Sequence, residues 1–210
     1  MDKYKTTIAT WNNIAKRYEE VFMNFELYDD SYNTFCNSIV KQNPSILEVG
    51  CGPGNITKYI SQKRPDFTIL ATDVAPNMLT LAKQNVPTAT FKKLDARHLS
   101  QLKTTFNGII CGFCLPYLNK KDCIGFLKDS YALLESKGLL YFSIIEGDYN
   151  DSYYQTGSTG DQVFVHYYNE AFVKEQLITL GFKDLQIIKK PFVTSQGETQ
   201  VHLVILAKKK

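Results

Sequence analysis

The sequence predicts an α/β fold built on a mostly parallel sheet, and three observations predict it. Apolar runs of strand length at 45–49, 67–72, 88–94, 106–111 and 138–145 alternate with helical patterns at 55–63, 76–85 and 119–136. That alternation builds a parallel sheet with helices on both faces. The first run ends in Gly50-Cys51-Gly52-Pro53-Gly54, a turn almost without side chains. Glycine there tolerates positive φ and lets a ligand approach the backbone. The last third breaks the rhythm. It closes on two runs, 183–190 and 200–207, joined by the turn-rich Ser195-Gln196-Gly197-Glu198, the pattern of an antiparallel hairpin.

Within the first 45 residues, Ile8, Trp11, Ala15, Tyr18, Phe22 and Phe25 recur at three- and four-residue steps, one face of an amphipathic helix. Asp29, Asp30 or Ser31 can cap a second helix running to about Gln42, and Pro44 closes it. The helix at 76–85 begins with Pro76 in a first-turn position. The helix at 119–136 starts from Asn119 and stops before Gly138. Residues 147–161 are rich in Gly, Asp, Ser and Tyr, lack a period, and read as a long loop of the kind that is often functional. Residues 162–168 read as an extended segment, and a helix from about Asn169 to Leu180 stops at Gly181.

Bulk properties exclude several classes. At 210 residues the chain is one domain long enough to bury a core, and 44% hydrophobic with 21% charged residues is ordinary for a globular protein. The polar first ten residues lack the apolar centre of a signal peptide, and the longest apolar stretches are too short to cross a bilayer. The net charge of +3 is too mild for nucleic acid, and only Arg17, Arg64 and Arg97 of the 24 basic residues are arginine. Five cysteines make an odd count that fits a reducing cytoplasm. Cys111-Gly-Phe-Cys114 has the spacing of half a zinc site, but no second ligand pair accompanies it. It reads as two small apolar residues at a strand end, with no metal.

The glycine run fits neither of the common nucleotide motifs. Counting from Gly50, the sixth position of G-x-G-x-x-G is Asn55, and no Gly-Lys-Ser/Thr follows. The arrangement Glu48-x-Gly50-x-Gly52-x-Gly54 instead resembles motif I of the class I S-adenosylmethionine-dependent methyltransferases. Asp73, nineteen residues after Gly54 at the end of Thr68-Ile-Leu-Ala-Thr-Asp73, stands where that family holds the ribose hydroxyls. Asp95-Ala96 after the third run resembles the pair that meets the adenine edge, with Val74 on its flank. Asp95 can alternatively cap the short helix that follows. Asn107 replaces the acid often found early in the fourth strand, and Ser136-Lys137 stands where Pro-Gly is commoner before the fifth.

The resemblance covers residues 40 to 145 and implies a Rossmann-like seven-stranded sheet with an antiparallel C-terminal strand and a helical cap. It divides the chain into cap (1–43), cofactor-binding core (44–146), active-site insert (147–168) and C-terminal helix and hairpin (169–210). It implies S-adenosyl-L-methionine as cofactor, held by Trp11 and Tyr18 of the cap, by Glu48, Gly50, Cys51 and Gly52, and by Asp73, Val74, Asp95, Ala96 and Phe113. Core packing explains the Trp11 and Tyr18 spacing equally well.

Methyl transfer is an in-line displacement that asks the protein to align the reactants and exclude water. A base is needed only where the acceptor must lose a proton. His166 and Tyr117 are the catalytic candidates, since a neutral imidazole accepts a proton near physiological pH. Tyr117, Tyr153, Tyr154, Gln155 and His166 are the substrate-binding candidates, a set suited to a small acceptor. His98 and His202 read as surface residues. The Asp/Asn-Pro-Pro-Tyr of enzymes resembling the adenine-N6 group is absent from Gly112-Phe113-Cys114-Leu115-Pro116-Tyr117. The expected activity is methyl transfer to a small-molecule substrate in the cytoplasm, without nucleic acid or membrane and with the oligomeric state open. A protein or RNA methyltransferase, a non-catalytic binder of the cofactor and an aminopropyltransferase on the same fold remain as alternatives.

Overall fold

The computed structural model describes residues 2–157, 160–194 and 197–210. Ser195 and Gln196 of the expected turn, and Ser158 and Thr159 of the expected loop, lie outside the described residues. The core is a seven-stranded sheet. Its strands are β1 (Ser45–Val49), β2 (Thr68–Asp73), β3 (Thr90–Lys93), β4 (Phe106–Cys111), β5 (Leu134–Ile145) and, beyond a separate hairpin of β6 (Tyr153–Thr156) and β7 (Gln162–Val165), β8 (Phe182–Val193) and β9 (Thr199–Lys209). The order is β3-β2-β1-β4-β5-β9-β8. The first five strands run parallel, while β9 is antiparallel to both β5 and β8.

The helices are α1 (Lys3–Asn13), α2 (Ala15–Phe22), α3 (Asp29–Ser38), α4 (Asn55–Lys63), α5 (Pro76–Asn85), α6 (Lys120–Leu133) and α7 (Glu170–Leu180). Period-two alternation along the buried strands supplies two cores, one per face. Leu47, Val49, Ile109 and Phe142 pack with Phe126 and Leu127 of α6 and Leu177 of α7. Ile46, Ile110 and Tyr141 pack with Phe35 of α3 and Ile60 of α4. Helices therefore cover both faces, as alternating strands and helices require.

Four expectations are corrected. The N-terminal helix is two helices, because Ile14 (φ −94°, ψ 14°) leaves the helical region between α1 and α2. The next helix stops at Ser38, where Ile39 turns extended, rather than at Gln42. The helix expected to reach 136 ends at Leu133, because Leu134 already pairs with Phe106. A register shift follows before Leu139 pairs with Gly108, and Lys137 (φ 63°) turns the excursion between them. Finally, residues 153–156 are not loop but β6, whose antiparallel partner β7 lies against α1 through a bond from the Phe164 N–H to Thr7 Oγ1 (3.1 Å) and one from Thr10 Oγ1 to the Gln162 carbonyl (2.6 Å). No helix among the described residues is long and apolar enough to cross a membrane.

Candidate active site

The parallel strands β1, β2 and β4 end at one edge of the sheet, the edge at which open α/β sheets bind ligands. A cleft of about 850 Å³ lies there, roofed by α1 and α2. Its floor is the glycine turn after β1. Gly50 (φ 71°), Gly52 (φ 54°) and Gly54 (φ 90°) all take left-handed conformations. A side chain at Gly50 would also stand 3.0 Å from Cys114 Cβ.

The amides of this turn are committed internally. The Gly50 and Cys51 N–H groups both donate to the Thr72 carbonyl (2.8 and 2.9 Å), and the Gly52 N–H donates to Asp73 Oδ2 (2.9 Å). Asp73 Oδ1 accepts from the Ala75 N–H (2.8 Å). The turn is thus a close-approach wall rather than an anion cradle. Asp73 is buried at the end of β2, and that burial raises its carboxyl above the usual range against the three amides that favour its charge. Each Asp73 oxygen still has a lone pair free for a ligand hydroxyl.

Beyond β3, Asp95 accepts from the Arg97 N–H (2.9 Å), capping the turn that follows, and its Oδ2 lies 2.6 Å from Arg97 Nη2. Burial opposes ionisation of Asp95, but the Arg97 hydrogen bonds outweigh it and hold the carboxyl below its usual range. The Arg97 guanidinium covers the Tyr4 ring (4.0 Å to its centre), and the Tyr4 hydroxyl bonds Asp122 and accepts from the Asn119 N–H (3.0 Å). This network fastens α1 to the N-terminus of α6. Asp73, Asp95 and Arg97 are the charged residues lining the cleft, so its wall carries a net single negative charge.

Three rings close the other end. Trp11 meets Tyr18 (5.5 Å) and Tyr117 (5.3 Å) edge to face. Trp11 Nε1 is buried and has no partner, an unused donor on the wall of the cleft. Burial pushes the Tyr18 hydroxyl up to about 12 and that of Tyr117 well above its ordinary value, so both stay neutral donors.

Residues 46–138, the segment that supplies most of the floor and one wall of this cleft, match the family model described as a methyltransferase domain. Those residues form a methyltransferase domain. Malonyl-[acyl-carrier protein] O-methyltransferase of Bacillus cereus is 29% identical over 141 residues, 62% of this chain and 51% of that protein. The chain spans about half the length of the curated relatives it matches. Among solved structures, magnesium protoporphyrin IX methyltransferase from Synechocystis PCC 6803 with bound SAM has a TM-score of 0.72 at 15% identity, over 100% of this chain and 98% of that one. The 1,6-didemethyltoxoflavin-N1-methyltransferase of Burkholderia thailandensis, bound to its namesake compound and S-adenosylhomocysteine, has a TM-score of 0.73 at 16% identity, over 99% of this chain and 88% of that one. These likenesses establish the class I methyltransferase fold.

Of the residues singled out in the sequence, Trp11, Tyr18, Gly50, Gly52, Asp73, Val74, Asp95, Ala96, Phe113 and Tyr117 line the cleft of the methyltransferase domain or its roof. Glu48 and Cys51 do not. Glu48 is 1% exposed on the opposite side of the turn, where its Oε2 accepts from Thr57 Oγ1 (2.5 Å) and its Oε1 has no partner. Cys51 points into the core behind the turn.

Tyr153, Tyr154, Gln155 and His166 are not brought into the cleft either, because the β6–β7 hairpin packs on the outer side of α1. His166 is held by its N–H to the Pro116 carbonyl (2.7 Å), and its ring is stacked on Tyr149 at 5.2 Å. Burial lowers its imidazole to about 4. His98 is exposed as expected, but His202 is buried, because β9 lies inside the sheet between β5 and β8. Tyr4, Thr7, Ile8 and Arg97 line the cleft without having been anticipated; the helical pattern seen in the sequence started at Ile8, and nothing local distinguishes Arg97 from a surface residue.

Proposed function

We propose that this chain is an S-adenosylmethionine-dependent methyltransferase acting on a small-molecule acceptor. One observation carries the reading: the cleft sets the close-approach turn of Gly50 and Gly52 beside a buried Asp73, with a net negative charge and no uncommitted cation on its wall. A phosphate-bearing nucleotide would meet Asp73 and Asp95 without a compensating cation, since Arg97 is paired with Asp95 and the Gly50, Cys51 and Gly52 amides are already bonded. A sulfonium nucleoside suits that field.

The residues fit the group. Asp73 accepts the ribose hydroxyls, Val74 and Ala96 flank the adenine, Gly50 and Gly52 allow close approach, and the unpartnered Trp11 Nε1 donates to the amino-acid end beside Tyr18. Asp95, committed to Arg97, shapes the adenine end. When bound, S-adenosylmethionine supplies a methyl group already activated on sulfur. The chain's own task is to hold the acceptor in line, exclude water beneath α1 and α2, and receive a proton where the acceptor has one to lose. Tyr117, which lines the cleft with its ring against Trp11, is the acceptor-side candidate from the sequence that supports this reading. The five cysteines, all free, agree with a reducing cytoplasm.

Trp11 is the only tryptophan and it lines the cleft, so its emission reports occupancy directly. Titration with S-adenosylmethionine and S-adenosylhomocysteine should change that emission saturably, with ATP and NAD at least a hundredfold weaker. Equal response to ATP, or none to S-adenosylhomocysteine, overturns the proposal.

A further inference from the structure

Behind Phe113, on the far side of the cleft, lies a nest of rings that the cofactor does not explain. His202, on β9 opposite Ile145 at the end of β5, is 5% exposed. Its ring stacks on Phe192 (4.8 Å, 18°) and packs against Phe113 (5.1 Å) and Tyr28 (6.2 Å). Its Nδ1 lies 2.7 Å from the Tyr28 hydroxyl, while its Nε2 is buried without a partner. An unpaired polar atom in an aromatic environment is costly to leave and asks for an explanation. With Nδ1–H donating to Tyr28, Nε2 presents a bare lone pair. Burial keeps the ring neutral, with a value near 4. Lys190, opposite His202 in the strand register, is engaged by Asp30 at 2.6 Å, so no free ammonium competes for the ring.

A second cavity of about 710 Å³ opens on the surface between the 23–28 connector and α4. Phe22 and Phe25 line it. Phe22 also packs on Tyr18 of the cofactor cleft (4.6 Å, tilted by 36°), and Phe25, 38% exposed, touches both Phe192 and Tyr28. One exposed ring, Phe25, thus stands between this cavity and the nest.

Resting on the proposed use of S-adenosylmethionine, we propose that this nest is the acceptor site and that it takes a planar aromatic or conjugated molecule bearing a hydroxyl, which packs on Tyr28 and Phe192 in place of Phe25 and donates its O–H to His202 Nε2. As the acceptor oxygen's lone pair forms the new O–CH3 bond, the carbon–sulfur bond breaks with its electron pair staying on sulfur. The O–H bond pair stays on oxygen and its proton passes to Nε2. The product is a methyl ether, a neutral thioether and an imidazolium that Tyr28 stabilises through Nδ1–H.

The test uses 7-hydroxycoumarin and 7-methoxycoumarin as planar probes, titrated by fluorescence against full-length protein saturated with S-adenosylhomocysteine. The wild type should prefer the hydroxyl probe by about three- to tenfold, the worth of one neutral hydrogen bond. His202→Phe should erase that preference while S-adenosylhomocysteine affinity stays within twofold. If His202→Phe does not fold, Tyr28→Phe serves instead and should reduce the same preference. Phe25→Ala, on the exposed connector, should speed probe association severalfold. A probe that fails to bind the wild type, or a preference that survives His202→Phe, overturns the acceptor site while leaving the cofactor reading intact. Failure of S-adenosylhomocysteine itself to bind the wild type overturns both.

Discussion

Glu48 sits in the middle of the sheet with one carboxyl oxygen unpartnered, so the fold carries it at a pH-dependent cost. Burial is the main cause that lifts its pKa from 4.5 to about 8, against the Thr57 hydroxyl that favours its charged form. A group raised in the folded state supports folding fully below its unfolded value, and that support is lost as pH rises towards the folded value. Here the window runs from about pH 4.5 to pH 8. Linkage gives a destabilisation, relative to acid conditions, of roughly 1 kcal/mol at pH 5, about 3–4 kcal/mol at pH 7 and a plateau of about 5 kcal/mol above about pH 9. Because the carboxyl is buried, no discount for solvent screening applies. Glu48→Gln keeps the shape and the bond from Thr57 Oγ1 but cannot ionise. Its melting temperature should match the wild type near pH 4.5 and exceed it by roughly 7–14 °C at pH 7. Scanning calorimetry of both proteins from pH 4.5 to 9 measures the gap. A gap that stays flat across that range, or narrows as pH rises, refutes the buried-acid account.

Two further outcomes follow from the glycine turn and its acid. Asp73→Ala removes a charged acceptor from the proposed ribose site and should weaken S-adenosylhomocysteine by about 1.5–3 kcal/mol, roughly ten- to a hundredfold by calorimetric titration; unchanged affinity in a folded protein removes Asp73 from the site. Gly54→Ala forces a side chain into φ 90° with its Cβ 3.3 Å from the Ala82 backbone. It should cost about 1–3 kcal/mol in chemical denaturation, and a neutral substitution would mean that the turn adapts freely.

The cofactor half of the molecule was legible because its signals are local. Gly50, Asp73 and Asp95 each mark the end of a consecutive parallel strand, and parallel connectivity alone brings those ends to one edge. No long-range pairing had to be guessed. The boundaries that slipped did so where a tertiary partner overrode the local pattern. Leu134 continues a helical sequence but is captured by Phe106, and residues 153–156 lack an apolar period because α1, through β7, supplies what orders them.

The acceptor half is written in contacts that no window of sequence contains. Thr7 meets Phe164 across 157 residues, and Tyr28 meets His202 across 174. Both histidines worth weighing are buried, His166 just past the end of β7 and His202 within β9, so alternation could not tell a buried imidazole from a solvated one. His166 has Phe164 and Tyr149 against its ring, whereas His202 lies between Tyr28 and Phe192. What separates them is which ring stands next to each. His166 packs on Phe164, on the outer side of α1, but His202 packs on Phe113, whose left-handed backbone (φ 57°) turns the end of β4 into the cleft. The antiparallel return of β9 between β5 and β8 is therefore what carries an imidazole to the methyl-acceptor side, and a seventh strand that ran parallel would present the other end of its sequence there.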